Sequence, residues 1–180
     1  MTRIYVCPLS KLEQTVRESG ARALVSLIDR GTPVPRPPSI EAGRHLLVSI
    51  SDICERLDGH VLAEDSHMSE FLDFVGAWDR RAPMAIHCYA GVSRSTAAAF
   101  VAACALTPDV EEERLARALR RASPTATPNR RLVALADARL ARAGRMIAAA
   151  DAIGRGAECF EGAPFFLNLG QEASPHERGA

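Results

Sequence analysis

Residues 83–100 read PMAIHCYAGVSRSTAAAF. A short apolar run closes on His87, and helix-forming residues continue from Arg94. The pattern predicts a buried strand over 83–87, a tight loop, and a helix over 94–106. Such a junction lies at the carboxyl end of a strand, where open α/β sheets build their sites. A helix N-terminus there presents free backbone N–H groups and a partial positive charge. A loop wrapped onto it makes an anion cradle. Gly91 allows positive φ and close approach in the middle of that loop. Cys88 stands at its entrance, in a field that favours thiolate over thiol. Arg94 offers a planar fork for two oxygens of one anion. The Ser95 hydroxyl is placed to hydrogen-bond the sulfur. His87 reads as a buried partner that shapes the loop rather than as a proton carrier.

Working outward, residues 3–6, 23–28 and 45–50 are further short apolar runs, as expected of strands covered on both faces. The segment 9–20, LSKLEQTVRESG, predicts a helix capped by Ser10 with Glu13 and stopped at Gly20. Residues 66–79 carry apolar side chains at helical spacing through Met68, Phe71, Leu72, Val75 and Trp78, with Ser66 as the expected cap. Helices are also expected over the acidic-to-arginine stretch 107–122, from Pro128 to Gly144, and over 146–153. The fold class is therefore α/β, a single domain with a short, mostly parallel central sheet flanked by helices and a helical C-terminal half. Residues 1–154 are read as one domain, which holds the cradle. Residues 155–180 are read as an extension that is partly docked and loose at its end.

The 180 residues carry 22 basic and 22 acidic side chains, for zero formal net charge. That gives no bulk electrostatic reason to bind nucleic acid or an anionic membrane. No run approaches the roughly 18 apolar residues of a membrane span, and no signal peptide is visible. The five cysteines, Cys7, Cys54, Cys88, Cys104 and Cys159, make neither a disulfide framework nor a paired zinc pattern. A reduced, cytoplasmic location is the expectation.

The stretch HCYAGVSRS resembles the Cys-x5-Arg-Ser/Thr signature of the protein tyrosine phosphatase superfamily. Its surroundings are most similar to the dual-specificity branch and its compact bacterial members. Downstream, RRASPTATPNRRLVALAD is similar to that family's Arg-x-x-x-Pro-x-x-Pro-Asn segment, with slightly different spacing, and the resemblance covers roughly residues 1–143. It implies that Cys88 attacks phosphorus and forms a cysteinyl-phosphate. It implies that Tyr89, Ala90, Gly91, Val92, Ser93 and Arg94 bind the phosphoryl oxygens, and that Ser95 assists thiolate release. No metal or cofactor is implied. Substrates would be a phosphorylated protein or a small phosphomonoester, with phosphate, sulfate or vanadate as active-site anions. The family's general acid is an aspartate some 30–40 residues before the cysteine. Asp52 is preferred, because it directly follows the strand over 45–50 and so shares the sheet edge of Cys88. Asp58 is second, Asp65 is close enough to the next helix to serve as a cap, and His60 is a distant fourth.

Blander readings stand beside these. A cysteine after a strand is commonly a small core residue, and Asp52 could cap a helical turn. Cys104 is read as core. Cys7 or Cys54 could form a reversible disulfide with Cys88. The proline-rich loop 31–39 is either a substrate contact or a rigid connector. Two other activities compete: a rhodanese-like thiolate enzyme, whose loop places arginine five rather than six positions after cysteine, and a phosphate-binding module without turnover.

Overall fold

The computed structural model describes residues 2–170. Met1 and residues 171–180, including the end expected to be loose, lie outside the described residues. Among the described residues five strands form one sheet: β1 (Thr2–Pro8), β2 (Ala23–Ile28), β3 (His45–Ser49), β4 (Met84–Cys88) and β5 (Phe165–Leu169), in the order β3-β2-β4-β1-β5. Strands β1 to β4 run parallel, and β5 joins β1 antiparallel, with Thr2 opposite Leu169 and Val6 opposite Phe165. All six residues of β2 and all five of β4 are buried. That is why these two read as continuous apolar runs and hold the centre of the sheet.

Among the described residues six helices cover the two faces: α1 (Leu12–Ser19), α2 (Asp65–Ala77), α3 (Arg94–Leu106), α4 (Glu112–Ala122), α5 (Arg130–Arg139) and α6 (Arg145–Ile153). Helix α1 covers one face, where Leu12 and Val16 pack with Cys7, Leu24, Ala85 and Ile40. The other five share the larger core. There the alternate strand residues Ile4, Val6, Val25, Leu27, Met84 and Ile86 meet Phe71, Phe100, Leu119, Leu132 and Met146. Helix α3 is buried along nearly its whole length, so its small Ala-rich faces let the sheet and neighbouring helices approach closely. None of the helices among the described residues is long and apolar enough to cross a membrane.

Three local expectations are corrected. Ser10 does not cap α1. A short 3-10 turn over Leu9–Lys11 precedes the helix, and the Ser10 hydroxyl instead donates to Glu161 at 2.8 Å. The cap of α2 is Glu64 rather than Ser66, in a capping box closed by His67, whose Nδ1 accepts from the Glu64 N–H at 3.1 Å. The helix expected to reach Gly144 stops at Arg139. The buried Asp137 carboxylate accepts from the Gly144 and Met146 N–H groups at 2.7 and 2.8 Å. It thereby starts α6 on its own side chain, and a carboxylate at a helix N-terminus is favourable on both hydrogen-bonding and dipole grounds. Residues 165–169, for which no element was assigned from the sequence, form a strand of the sheet. Its alternation of buried Phe165 and Leu167 with exposed Phe166 is the half-buried pattern of an edge.

Candidate active site

Strand β4 delivers Cys88 at the centre of the sheet's carboxyl edge, and α3 begins six residues later. The shape of the intervening loop follows from where its carbonyls are tied. The Tyr89 carbonyl accepts from the Leu9 N–H at 3.1 Å and that of Ala90 from the Gly162 N–H at 2.8 Å. The Val92 carbonyl accepts from the Thr127 N–H at 2.9 Å and from the Thr96 hydroxyl at 2.6 Å. That of Ser93 accepts from the Ala97 and Asn129 N–H groups at 3.0 and 3.3 Å. In a trans peptide the C=O and the next N–H point in opposite directions. Carbonyls anchored outward at 89, 90, 92 and 93 therefore turn the N–H groups of 90, 91, 93 and 94 inward. One of these, Gly91 N–H, reaches Cys88 Sγ at 3.3 Å. Gly91 has φ +70°, and a Cβ there would lie 2.7 Å from Pro8 N, so only glycine fits so close to β1.

The side chains complete the pocket. The Ser95 hydroxyl lies 3.1 Å from Cys88 Sγ, and both residues are buried. Arg94 is only 4% exposed. Its Nη1 donates to Asp29 Oδ2 and to the Ile50 carbonyl, each at 2.8 Å. Its Nε is buried with no hydrogen-bond partner among the described residues. A buried donor left unpaired costs about 1–3 kcal/mol, more for a charged group, and here the guanidinium is held through Nη1 while its Nε–H goes unused. Burial pushes the Asp29 carboxyl up. Hydrogen bonding from Ser51 and the charge of Arg94 outweigh that and hold it below the ordinary carboxylate value. Asp29 therefore stays ionised opposite Arg94. It was not among the sequence candidates, although it directly follows β2 at the same sheet edge.

Asp52 comes to the rim of the loop. Its Oδ1 accepts from Ser93 Oγ at 2.6 Å and from Asn129 Nδ2 at 2.8 Å, and no helix begins on it. Asn129 also caps α5 through the Leu132 N–H at 3.1 Å, so one side chain joins the Asp52 segment, the loop and α5. The other candidates are placed elsewhere. Asp58 is exposed, with its carbonyl 3.1 Å from His60 Nδ1. Asp65 pairs with Arg139 at 3.1 Å. Neither Asp58 nor His60 has a side-chain bond to the loop among the described residues. Tyr89 is 58% exposed at the mouth. All five cysteines are free. Cys7 is opposite His87 in the sheet, its thiol pushed up to about 12 by burial, while Cys54 and Cys159 are exposed. No group of three potential metal ligands occurs among the described residues.

Behind the loop, His87 Nδ1 is 3.3 Å from the Cys88 carbonyl, and its Nε2 is 2.6 Å from Ser26 Oγ. A carbonyl only accepts, so Nδ1 carries the hydrogen and Nε2 accepts from the Ser26 hydroxyl. Ser26 Oγ in turn accepts from His45 Nε2 at 2.8 Å. Burial drives the His87 imidazole down to about 4, from an ordinary value of 6.5. Between these values the unfolded chain binds a proton that the folded one does not. This stability is complete above about pH 6.5 and is lost as pH falls toward 4, an effect on the order of 3 kcal/mol. Urea denaturation between pH 7 and pH 4 is expected to show that loss in the native protein and a much flatter profile in His87→Gln. Equal slopes in the two would contradict it.

Comparison with solved structures places the fold. No family model matches the sequence, and no curated protein does. The Cydia pomonella PTP-2 phosphatase superposes with a TM-score of 0.59 at 22% identity, over 75% of this chain and 84% of its own. DUSP15 superposes with a TM-score of 0.62 at 15% identity, over 85% and 91%. A mouse putative dual specificity phosphatase does so with 0.59 at 20%, over 83% and 86%. The fold is that of the dual-specificity phosphatases. On this phosphatase fold, the expectation of a flanked, mostly parallel sheet holds, and β5 adds an antiparallel edge to it.

Proposed function

We propose that this protein is a phosphomonoester hydrolase working through a cysteinyl-phosphate, of the protein tyrosine or dual-specificity kind. The observations that carry the reading are the buried Arg94 guanidinium, anchored at Nη1 and unpartnered at Nε, and the buried Cys88 thiol six residues before it, which accepts from the Gly91 N–H at 3.3 Å. These donors suit a tetrahedral dianion, and fixed dipoles aimed at developing charge are the largest catalytic term in such sites.

In this reading the phosphoryl oxygens accept from the amides of Ala90, Gly91, Ser93 and Arg94 and from Arg94 Nε. Cys88 Sγ attacks phosphorus in line. The S–P bond forms as the bond to the leaving oxygen breaks, and that oxygen takes a proton from Asp52. Both donors to Asp52 land on Oδ1, so Oδ2 is the atom left to carry the proton. Water then attacks phosphorus and gives its proton to Asp52. The S–P bond breaks, and Ser95 Oγ, 3.1 Å away, hydrogen-bonds the departing thiolate. The exposed Tyr89 at the mouth and the absence of lysine within the loop favour a phosphorylated protein side chain over a highly charged ring.

The test is hydrolysis of p-nitrophenyl phosphate with acid quench and mass analysis of the Cys88 peptide. Turnover with a phosphoryl group on Cys88 is expected; sulfur transfer to cyanide, or binding without turnover, would overturn the reading. Asp52→Asn keeps an acceptor for Ser93 and Asn129 but not the proton. It is expected to lower kcat by about 10²-fold and to flatten the limb where activity falls as pH rises. The loss should be larger on phosphoserine peptides, whose leaving oxygen needs the proton more. Unchanged kcat would move the acid role to Asp58.

A further inference from the structure

We infer that the segment between α6 and β5 is a working part of the cradle, with Gly162 as a positioning residue for the nucleophile. The inference rests on the phosphatase reading for its kinetics but not for its chemistry.

The geometry runs through a single peptide unit. The Gly162 N–H donates to the Ala90 carbonyl at 2.8 Å, and the N–H across the same peptide bond, that of Gly91, donates to Cys88 Sγ at 3.3 Å. A planar peptide turns as one body. Fixing its oxygen from outside therefore aims its hydrogen at the sulfur from inside. Of the outward carbonyls of the loop, this one is held from the far end of the chain. The others are held from the β1–α1 junction, from α3 itself and from the segment before α5.

The segment is itself held in place. At its start, Arg120 donates to the carbonyls of Ile153 and Gly154 at 3.2 and 2.8 Å. The Gly156 N–H reaches Thr127 Oγ1 at 3.1 Å, and the Ala157 N–H reaches the Pro124 carbonyl at 2.9 Å. Near its end Glu161 accepts from Ser10 at 2.8 Å, and β5 then locks into the sheet. The fit at the contact is close. A Cβ on Gly162 would meet the Gly91 carbonyl oxygen at 3.1 Å and Val92 Cγ2 at 3.4 Å, so a side chain there would press on the cradle first. Tethering at both ends removes the freedom that would let Gly162 drift from Ala90, which is how preorganisation lowers the cost of holding a reactive geometry.

Gly162→Ala tests the inference, since its methyl group pushes against Gly91 from outside the cradle. Two readouts are used: the Ki of vanadate with the KM of p-nitrophenyl phosphate, and the ratio of Cys88 alkylation rates by iodoacetate and iodoacetamide. The charged reagent senses the cradle, whereas the neutral one senses only the thiol. Ki and KM are expected to rise, and the alkylation ratio to fall, each by about fivefold, the size of one weakened hydrogen bond. Thermal stability should be unaltered and kcat less affected than KM. A folded Gly162→Ala with wild-type Ki and alkylation ratio overturns the inference. Should that variant fail to fold, Glu161→Ala releases the segment from Ser10 at the surface. A rise in Ki is expected there too, and an unchanged Ki overturns the inference. Failure of wild-type turnover would instead sink the phosphatase reading, while the alkylation ratio would still report on Gly162.

Discussion

Cys88→Ser is expected to fold, to bind phosphate or tungstate, and to hydrolyse p-nitrophenyl phosphate at least about 10⁵-fold more slowly than wild type. The size of the loss follows from the surroundings of the sulfur. A serine hydroxyl needs a base to take its proton. The adjacent histidine cannot serve, because both ring nitrogens of His87 are occupied, by Ser26 and by the Cys88 carbonyl. Its pKa of about 4 also records how poorly the buried ring holds a proton. The nearby hydroxyl, that of Ser95, is no better a base than the serine it would activate. Isothermal titration with phosphate separates lost chemistry from a lost site. Turnover within tenfold of wild type would remove Cys88 from the mechanism.

Arg94→Lys is expected to lower kcat/KM by about 10³-fold while leaving most of the stability in place, since arginines that clamp a transferring phosphoryl group are worth 10³–10⁵. Lysine keeps the charge and loses the fork. The three donors of an ammonium radiate from one nitrogen, so it cannot hold Asp29 and the Ile50 carbonyl and also place a donor where Arg94 Nε lies. Asp29 is 44% exposed at its side chain, so water can take over its solvation. The Ile50 carbonyl loses a donor, worth about 1 kcal/mol. Steady-state kinetics with urea denaturation distinguishes the outcomes. A large drop in stability with kcat/KM within tenfold of wild type would make Arg94 a structural residue.

The loop was legible because its chemistry is contiguous. Cys88, Gly91, Arg94 and Ser95 lie in one short stretch from the end of a strand to the first turn of a helix, and their spacing alone implies a cradle. The parallel strands were legible because burial on both faces leaves uninterrupted apolar runs such as ALVSLI. What escaped depends on pairings distant in the chain. Asp29 acquires its role from Arg94, 65 residues away. Asn129 binds Asp52 across 77 residues; the Pro-Asn resemblance marks the segment but names no partner for it. Strand β5 was obscured because an edge strand shows only a brief alternation, here placed after a glycine-rich stretch. The true cap of α2 was hidden because Glu64 and His67 close a capping box with residues other than the usual Ser/Thr and Glu/Gln pair.

The antiparallel pairing of β5 with β1 also dictates a timetable. Residues 2–6 leave the ribosome long before residues 165–169, by roughly ten to thirty seconds at ordinary rates of synthesis. During that interval the outer edge of β1 is a row of unpaired backbone groups, open to any passing strand. The nascent chain therefore stays exposed to misassembly along β1 until β5 arrives.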